Sequence, residues 1–449
     1  MQNFDTRGHE FTTTSNAAAD AFNSAHENFI HWKAAVLPGL KAAVQEDPGF
    51  GFAHAVTGLV LHGARSTNLM PMVAQSLSAA QAAEPGMTER ERLYVGTLKA
   101  LSEGQLGAAV ATYETILAHH PTDLLARRLA QMELFWLGES NWSAEISARI
   151  APQWSEQVPG YGQFLSCRAF DFEETFEFEQ AEWAGRAAVE IDPTDVWGAH
   201  AVAHVLIMQG RYEEGVSWLD GLKDNWADAN QMSLHLWWHR CLFHLELGEV
   251  EDVISIYDDW VRNRDLPLLQ AMPDLYIDMQ NGASLLLRLE LDCIDVGSRW
   301  DELFELTLNR LEDHSNPFTS AHFAAILAAA GRFEHADALI ASMRAFAIAD
   351  QGTLGPRYWA AGIPAAEAAI AHRKGEYQRV ADLLMPVRHQ LWQMGGSHAQ
   401  RDLFFMLLAD ATKELGRADL LAIVLHDVAW TGTTEPASRV GYRAAAALL

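Results

Sequence analysis

The chain has 449 residues, 49% hydrophobic and 20% charged, a globular composition on a length beyond one compact core; it must divide into domains or build a core that grows by repetition. With 59 acidic against 32 basic side chains, its formal charge of -27 repels a phosphate backbone and an anionic membrane surface, so neither nucleic acid nor membrane is an expected partner. No apolar run approaches the ~20 residues that a bilayer-spanning helix needs.

The first stretch, residues 1–16, is polar and rich in threonine, without the basic start and apolar stretch of a secretory signal. Only three cysteines occur, Cys167, Cys241 and Cys293, with no CxxC spacing. That pattern fits a reducing, cytoplasmic setting, with the thiols buried as small apolar residues. Beyond residue 16, Ala, Leu, Glu and Gln dominate and apolar residues recur at i, i+3, i+4 and i+7, which predicts helix nearly throughout. Strand signals are scarce.

Glycine followed by a polar and often an aromatic residue punctuates the helices, as in Gly210-Arg211-Tyr212, Gly331-Arg332-Phe333 and Gly375-Glu376-Tyr377. Along the chain the mark falls at Gly63, Gly104, Gly138, Phe176 (where a glycine is expected), Gly210, Gly248, Gly297, Gly331, Gly375 and Gly416. The steps 104 to 138, 176 to 210 and 297 to 331 are each 34 residues, the period of a tetratricopeptide repeat. A small residue five places after the turn, where paired helices cross closely, is present as Ala109, Ala181, Gly215 and Ala336, but not at Val253, Val380 or Leu421. The expectation is all-α: a right-handed α-solenoid of roughly ten tetratricopeptide-type helix pairs, one domain over 1–449. Leu266 to Asp278 and Gly352 to Pro364 collect Pro and Gly and are expected to be irregular.

Nineteen histidines are many for this length, and their order is informative. His200 and His204 form HAVAH before the Gly210 turn, and His235 and His239 form HLWWH before the Gly248 turn. Residues four apart share a helical face, so each pair can present two imidazoles together, as metal sites and acid/base pairs do. Counted back from the turns, His54, His200, His239, Arg288 and His322 lie nine or ten residues before their marks. By analogy with the repeat, His200, His204 and His235 face the concave groove, with His239 and His322 one residue off that register. Neighbouring helices about 8–10 Å apart would bring such side chains to one ligand. Equally, a histidine among apolar neighbours is commonly a core residue satisfied by a carbonyl or carboxylate.

Other candidates flank this row. Glu173 and Glu174 end the preceding repeat's helix and read either as site carboxylates or as a solvated helix end; Arg401 and Asp402 in GGSHAQRD read as ligand-binding groups or as a pair with each other. Trp197, Trp237 and Trp238 are packing residues or an aromatic wall. His244 and His389 follow no pattern. Imidazole clusters suit Zn, Cu, Ni or Fe, although no HExxH or CxxC is present, and the absence of GxGxxG, GxxxxGK[ST] and GxSxG leaves no nucleotide cradle or nucleophile elbow.

Taken together, HAVAHVLIMQGR (200–211), HLWWHRCLFHLELGE (235–249), SLLLRLEL with VGSRW (284–300) and GGSHAQRD (395–402) resemble the tetratricopeptide repeat protein 38 family, from about Asp47 to Gly416. The resemblance implies a right-handed α-solenoid and marks His200, His204, His235, His239, Arg288, Arg401 and Asp402 as family-pattern residues. It implies no reaction, and His398 stands where some relatives have asparagine. Three functions follow as expectations: a groove that binds a small molecule or peptide, an enzyme using paired histidines as acid and base or as metal ligands, and a protein-interaction scaffold.

Overall fold

A computed structural model describes residues 2–431 and 434–449. Helices succeed one another in antiparallel pairs, from Asn16–Ile30 with Val36–Glu46 to His398–Glu414 with Ala418–Thr431. The chain is an all-α helical-repeat solenoid.

The turns explain the repeat. Gly104, Gly138, Gly210, Gly248, Gly331, Gly375 and Gly416 all take the left-handed backbone conformation, and Phe176 does so at φ 64° without being glycine. At each, the next amide donates to the carbonyl five residues back, for example Glu139 to Leu134, Glu177 to Phe172 and Arg211 to Leu206 at 2.8–2.9 Å. This Schellman closure satisfies orphan carbonyls at the helix end and reverses the chain. Two expected marks are displaced. Helix Gly51–Gly63 runs through Gly63, and Arg65 takes the positive φ; helix Tyr276–Leu291 closes at Cys293, with Ile294 donating to Leu289, while Gly297 lies further along the loop. Cys293 is therefore exposed, unlike the buried Cys167 and Cys241.

Two stretches differ from expectation. Gln2–Phe4 and Glu10–Thr12 pair as a short antiparallel hairpin in the polar amino-terminal segment. Tertiary contacts hold it: Thr12 donates its amide (2.9 Å) and hydroxyl to Glu91, Thr13 and Thr14 donate to Asp47, and Phe11 packs on Phe22 and Phe50. A three-residue strand has no periodicity to read. In the two stretches expected to be irregular, short helices form at Pro267–Ala271 and Leu354–Arg357, the latter leading through a wide turn into Ile363–Arg373.

The inner wall is where the expected open groove gives way. Repeats far apart in sequence meet. Thr353 donates its amide to the Gly104 carbonyl at 2.9 Å, Arg310 donates to the Arg65 carbonyl at 2.9 Å, and Arg357 to that of Leu137. Gly138 sits against the Trp392 backbone with no room for a side chain. The first helices of successive pairs, which would line a groove, instead bury nearly all their residues against one another, as in Val196–Met208, Tyr276–Leu291 and Pro317–Ala329.

Gly138 carries both constraints, a left-handed φ of 70° and close contact with a distant repeat. Gly138→Ala is expected to destabilise the fold by about 2 kcal/mol or more, from the left-handed cost of a Cβ plus displacement of the Trp392 backbone. Denaturant unfolding measures it, with Gly375→Ala, where the space for a Cβ is open, losing only the backbone part.

Candidate functional site

Asp195 caps helix Val196–Met208 by accepting the amides of Trp197 and Gly198, and helix Met232–Leu247 ends at the left-handed Gly248. The i, i+4 spacing on these two helices brings His200, His204, His235 and His239 together. His200 and His204 face each other through their Nε2 atoms at 3.0 Å. The His239 ring lies 4.5 Å from that of His204, 4.7 Å from His235 and 5.0 Å from His200. One nitrogen from each of the four falls within 4.8 Å of all the others. All four side chains are buried, His239 completely.

Two of the imidazoles are oriented from behind. His204 Nδ1 lies 3.5 Å from Glu173 Oε2, and His235 Nδ1 is 2.9 Å from Asn281 Oδ1, while Trp238 stacks on the His235 ring and Phe170 on that of His200. Each of these Nδ1 contacts leaves the Nε2 of its ring for the cluster. Among the described residues, both nitrogens of His239, Nδ1 of His200 and of His204, and both Glu173 carboxylate oxygens have no hydrogen-bond partner. Burial holds His200 and His239 well below the ordinary imidazole range, with the neighbouring imidazoles adding to it, and takes His235 down to about 3 against the Asn281 hydrogen bond. Burial pushes Glu173 up to about 7; His204 opposes this and Glu174 reinforces it.

The flanking candidates divide. Glu173 and Glu174 are buried, which overturns the solvated helix end: closure of the solenoid lets His398 donate its amide to the Glu174 carboxylate and bond the Glu174 carbonyl through Nε2, both at 3.3 Å, and places Arg401 3.9 Å from that carboxylate. Arg401 and Asp402 do not pair; Asp402 takes Arg439 at 2.5 Å and the Tyr442 hydroxyl at 2.6 Å, while Arg401 donates to the Gly396 carbonyl and bonds His398 Nδ1 at 3.2 Å. His322 is buried away from the cluster, bonded to the Phe318 carbonyl at 2.9 Å and flanked by Phe318 and Phe404. His54 is on Pro48 and Trp237 on Trp260. His244 pairs with Glu249 and His389 is largely exposed.

Two cavities border this region. The larger, about 620 Å³, is walled by apolar and aromatic side chains, among them Trp32, Trp136, Trp197 and Tyr276, with His200, His235 and Gln400 on its polar side. Its volume is that of a small organic molecule. The smaller, about 80 Å³, is lined by Arg288, His398, Arg401, Asp402 and Arg439. The first turn of helix His398–Glu414 separates the two, Gln400 facing one and its neighbours the other.

Sequence reasoning missed Asn281, Gln400, Arg439 and the indoles of Trp32 and Trp136. Asn281 had a signal, since it lies two helical turns before Arg288 on the same face. Gln400 stands inside GGSHAQRD. Trp32 and Trp136 come from repeats with no histidine register and are joined to the site only by closure, whereas Arg439 reaches it from the segment after the last helix pair.

No protein-family model matches the chain. It is similar to the structure of Naa15/Naa10 bound to HypK-THB, at 12% identity over 94% of this chain and 64% of that one, with a TM-score of 0.25. It is also similar to the P58(IPK) TPR domain, at 15% identity over 72% of this chain and 89% of that one, with a TM-score of 0.20.

Buried neutral histidines make the fold acid-sensitive. His26 and His322, at about 4, and His235, at about 3, stay unprotonated in the folded chain, whereas the unfolded chain takes up those protons near pH 6.5. Stability therefore falls as pH drops from about 6.5 toward 4, by up to about 1.4 kcal/mol per pH unit for each such group. Glu173 and Asp278, both raised to about 7, hold their protons in the folded state and act in the opposite sense between about 4 and 7. Lowered histidines outnumber them, His62, His200, His239, His314 and His398 included, so the net slope is positive. Denaturant midpoints of chelator-treated protein are expected to be clearly lower at pH 5 than at pH 7, and His322→Gln is expected to flatten the difference.

Proposed function

We propose that this protein is a metal-dependent small-molecule binding protein, in which His200, His204, His235 and His239 hold one transition ion of the zinc type beside the large apolar cavity. The observation that carries the reading is the convergence of four buried imidazoles, one nitrogen from each within 4.8 Å of the others, with both His239 nitrogens unpartnered among the described residues. Leaving such groups dry costs about 1–3 kcal/mol each, and a cation among neutral imidazoles removes that cost for the lone pairs it ligates. The donor set fits: neutral imidazoles are the ligating form, and Glu173 behind His204 with Asn281 behind His235 is the outer-layer support that ligating histidines ordinarily have. When bound, such an ion supplies Lewis acidity or an activated water. His200 and His235, which border both the cluster and the cavity, would position the ligand's polar end, and Trp197 and its aromatic neighbours would hold its apolar body.

A second reading, an enzyme of hydrolase or lyase type, is favoured by Glu173, an acid pushed into the neutral range against His204 and thus suited to moving a proton. The scaffold reading is favoured by the helical-repeat fold itself. Membership of the tetratricopeptide repeat protein 38 family, a single unit over 1–449 and a cytoplasmic setting complete the proposal. They are supported by the convergence of the four histidines, by one core cluster running from Phe11 to Ala445, and by two buried free thiols together with the absence, among the described residues, of any helix long and apolar enough to cross a membrane.

Elemental analysis of protein purified without chelator tests the proposal. About one transition metal per chain is expected, with His204→Ala and His239→Ala losing it and His389→Ala keeping it. Wild-type protein that carries no such metal and takes up none from added zinc, copper, nickel or iron would sink the reading.

A further inference from the structure

The small cavity poses a separate question, because its charges do not balance locally. Arg288 is wholly buried, yet among the described residues no carboxylate lies within 4.0 Å of it. Its guanidinium donates to the Ser284 carbonyl and hydroxyl and to the Ala399 carbonyl at 2.8 Å, all neutral acceptors. Arg401, also buried, spends its donors on the Gly396 carbonyl and His398, and its nearest carboxylate oxygen, on Glu174, is 3.9 Å away. The acids that line the same space are engaged elsewhere. Asp402 is held by both guanidinium nitrogens of Arg439, at 2.5 and 3.2 Å, and by Tyr442; Glu246 accepts the Val440 amide at 2.8 Å, lies 3.6 Å from Arg439, and is pushed up by burial toward its neutral form.

A buried cation with only neutral partners is expensive, and a guanidinium fork is shaped for two oxygens of one anion. The cavity that Arg288, Arg401 and His398 share has about 80 Å³. That is room for several waters or for one compact anion, and too little for a nucleotide or sugar phosphate to be enclosed.

We propose that this cavity is a binding site for one compact tetrahedral oxyanion of the phosphate or sulfate kind, with Arg288 and Arg401 as its cationic contacts. The site is distinct from the histidine cluster, and helix His398–Glu414 joins them: Gln400 faces the large cavity while its neighbours face the anion. An anion here would fix the first turn of that helix, and so one wall of the larger cavity.

The test is titration of chelator-treated full-length protein with inorganic phosphate, sulfate and acetate, against chloride at matched ionic strength, read by calorimetry and by melting temperature. Removing metal first keeps anion ligation to an ion in the histidine cluster from producing the signal. Phosphate or sulfate is expected to bind with one saturable site and to raise the melting temperature, with Arg288→Met and Arg401→Met each weakening binding about tenfold or more. Arg149→Gln, at an exposed ion pair, is expected to leave it unchanged. No saturable effect beyond chloride, a preference for acetate alone, or undiminished binding in both methionine variants overturns the proposal. Should neither variant fold, a crystal of wild-type protein soaked in sulfate decides: density between Arg288 and Arg401 supports the site, and sulfate found only elsewhere refutes it.

Discussion

Each helix of this chain buries its apolar face chiefly against the helices before and after it, so everything depends on the reversal between them. That reversal is a left-handed residue with a backbone bond spanning it, and it recurs with one geometry whether glycine, Trp32, Phe176 or Cys293 occupies it. The cost of a side chain at positive φ is small beside the burial gained when a helix docks on its neighbour, which is why the fold tolerates three non-glycine residues at such turns. The regularity of the turns sets the step of the superhelix, and the step sets how far the chain curls.

Curling far enough to close changes the character of the inner wall. In an open solenoid, polar side chains on that face meet water. Here they meet the opposite wall, and a row of histidines, arginines and carboxylates enters a medium where each unpaired polar atom carries a cost. The arrangement answers in two ways. Some groups find protein partners, across the closure as the Arg310 guanidinium does with the Arg65 carbonyl, or in the neighbouring segment as Asp402 does with Arg439. Others, the His239 nitrogens and the Glu173 oxygens foremost, are left facing one another or a cavity.

The two cavities also differ in kind. One is wide, aromatic and touched by imidazole at its edge; the other is narrow and cationic. Their shared wall, the start of helix His398–Glu414, is capped by Ser397 with Gln400 returning the bond to the cap, so the residues that separate the cavities are themselves held in register. Occupancy of either space would be felt at the other through that single turn.

Periodicity and turn chemistry are local properties, and for that reason the sequence alone determined the helical repeat, most of its turns and the pairing of His200 with His204 and of His235 with His239. A four-residue spacing on a helix leaves no freedom about which side chains share a face. It did not determine the strands near the amino terminus, the burial of Glu173 and Glu174, or the partner of Asp402, because each depends on segments tens to hundreds of residues away. Above all, whether the histidine row lines an open groove or lies inside was decided only by the summed rotation of successive repeats, a tertiary quantity to which each turn contributes a little and no residue pattern reports.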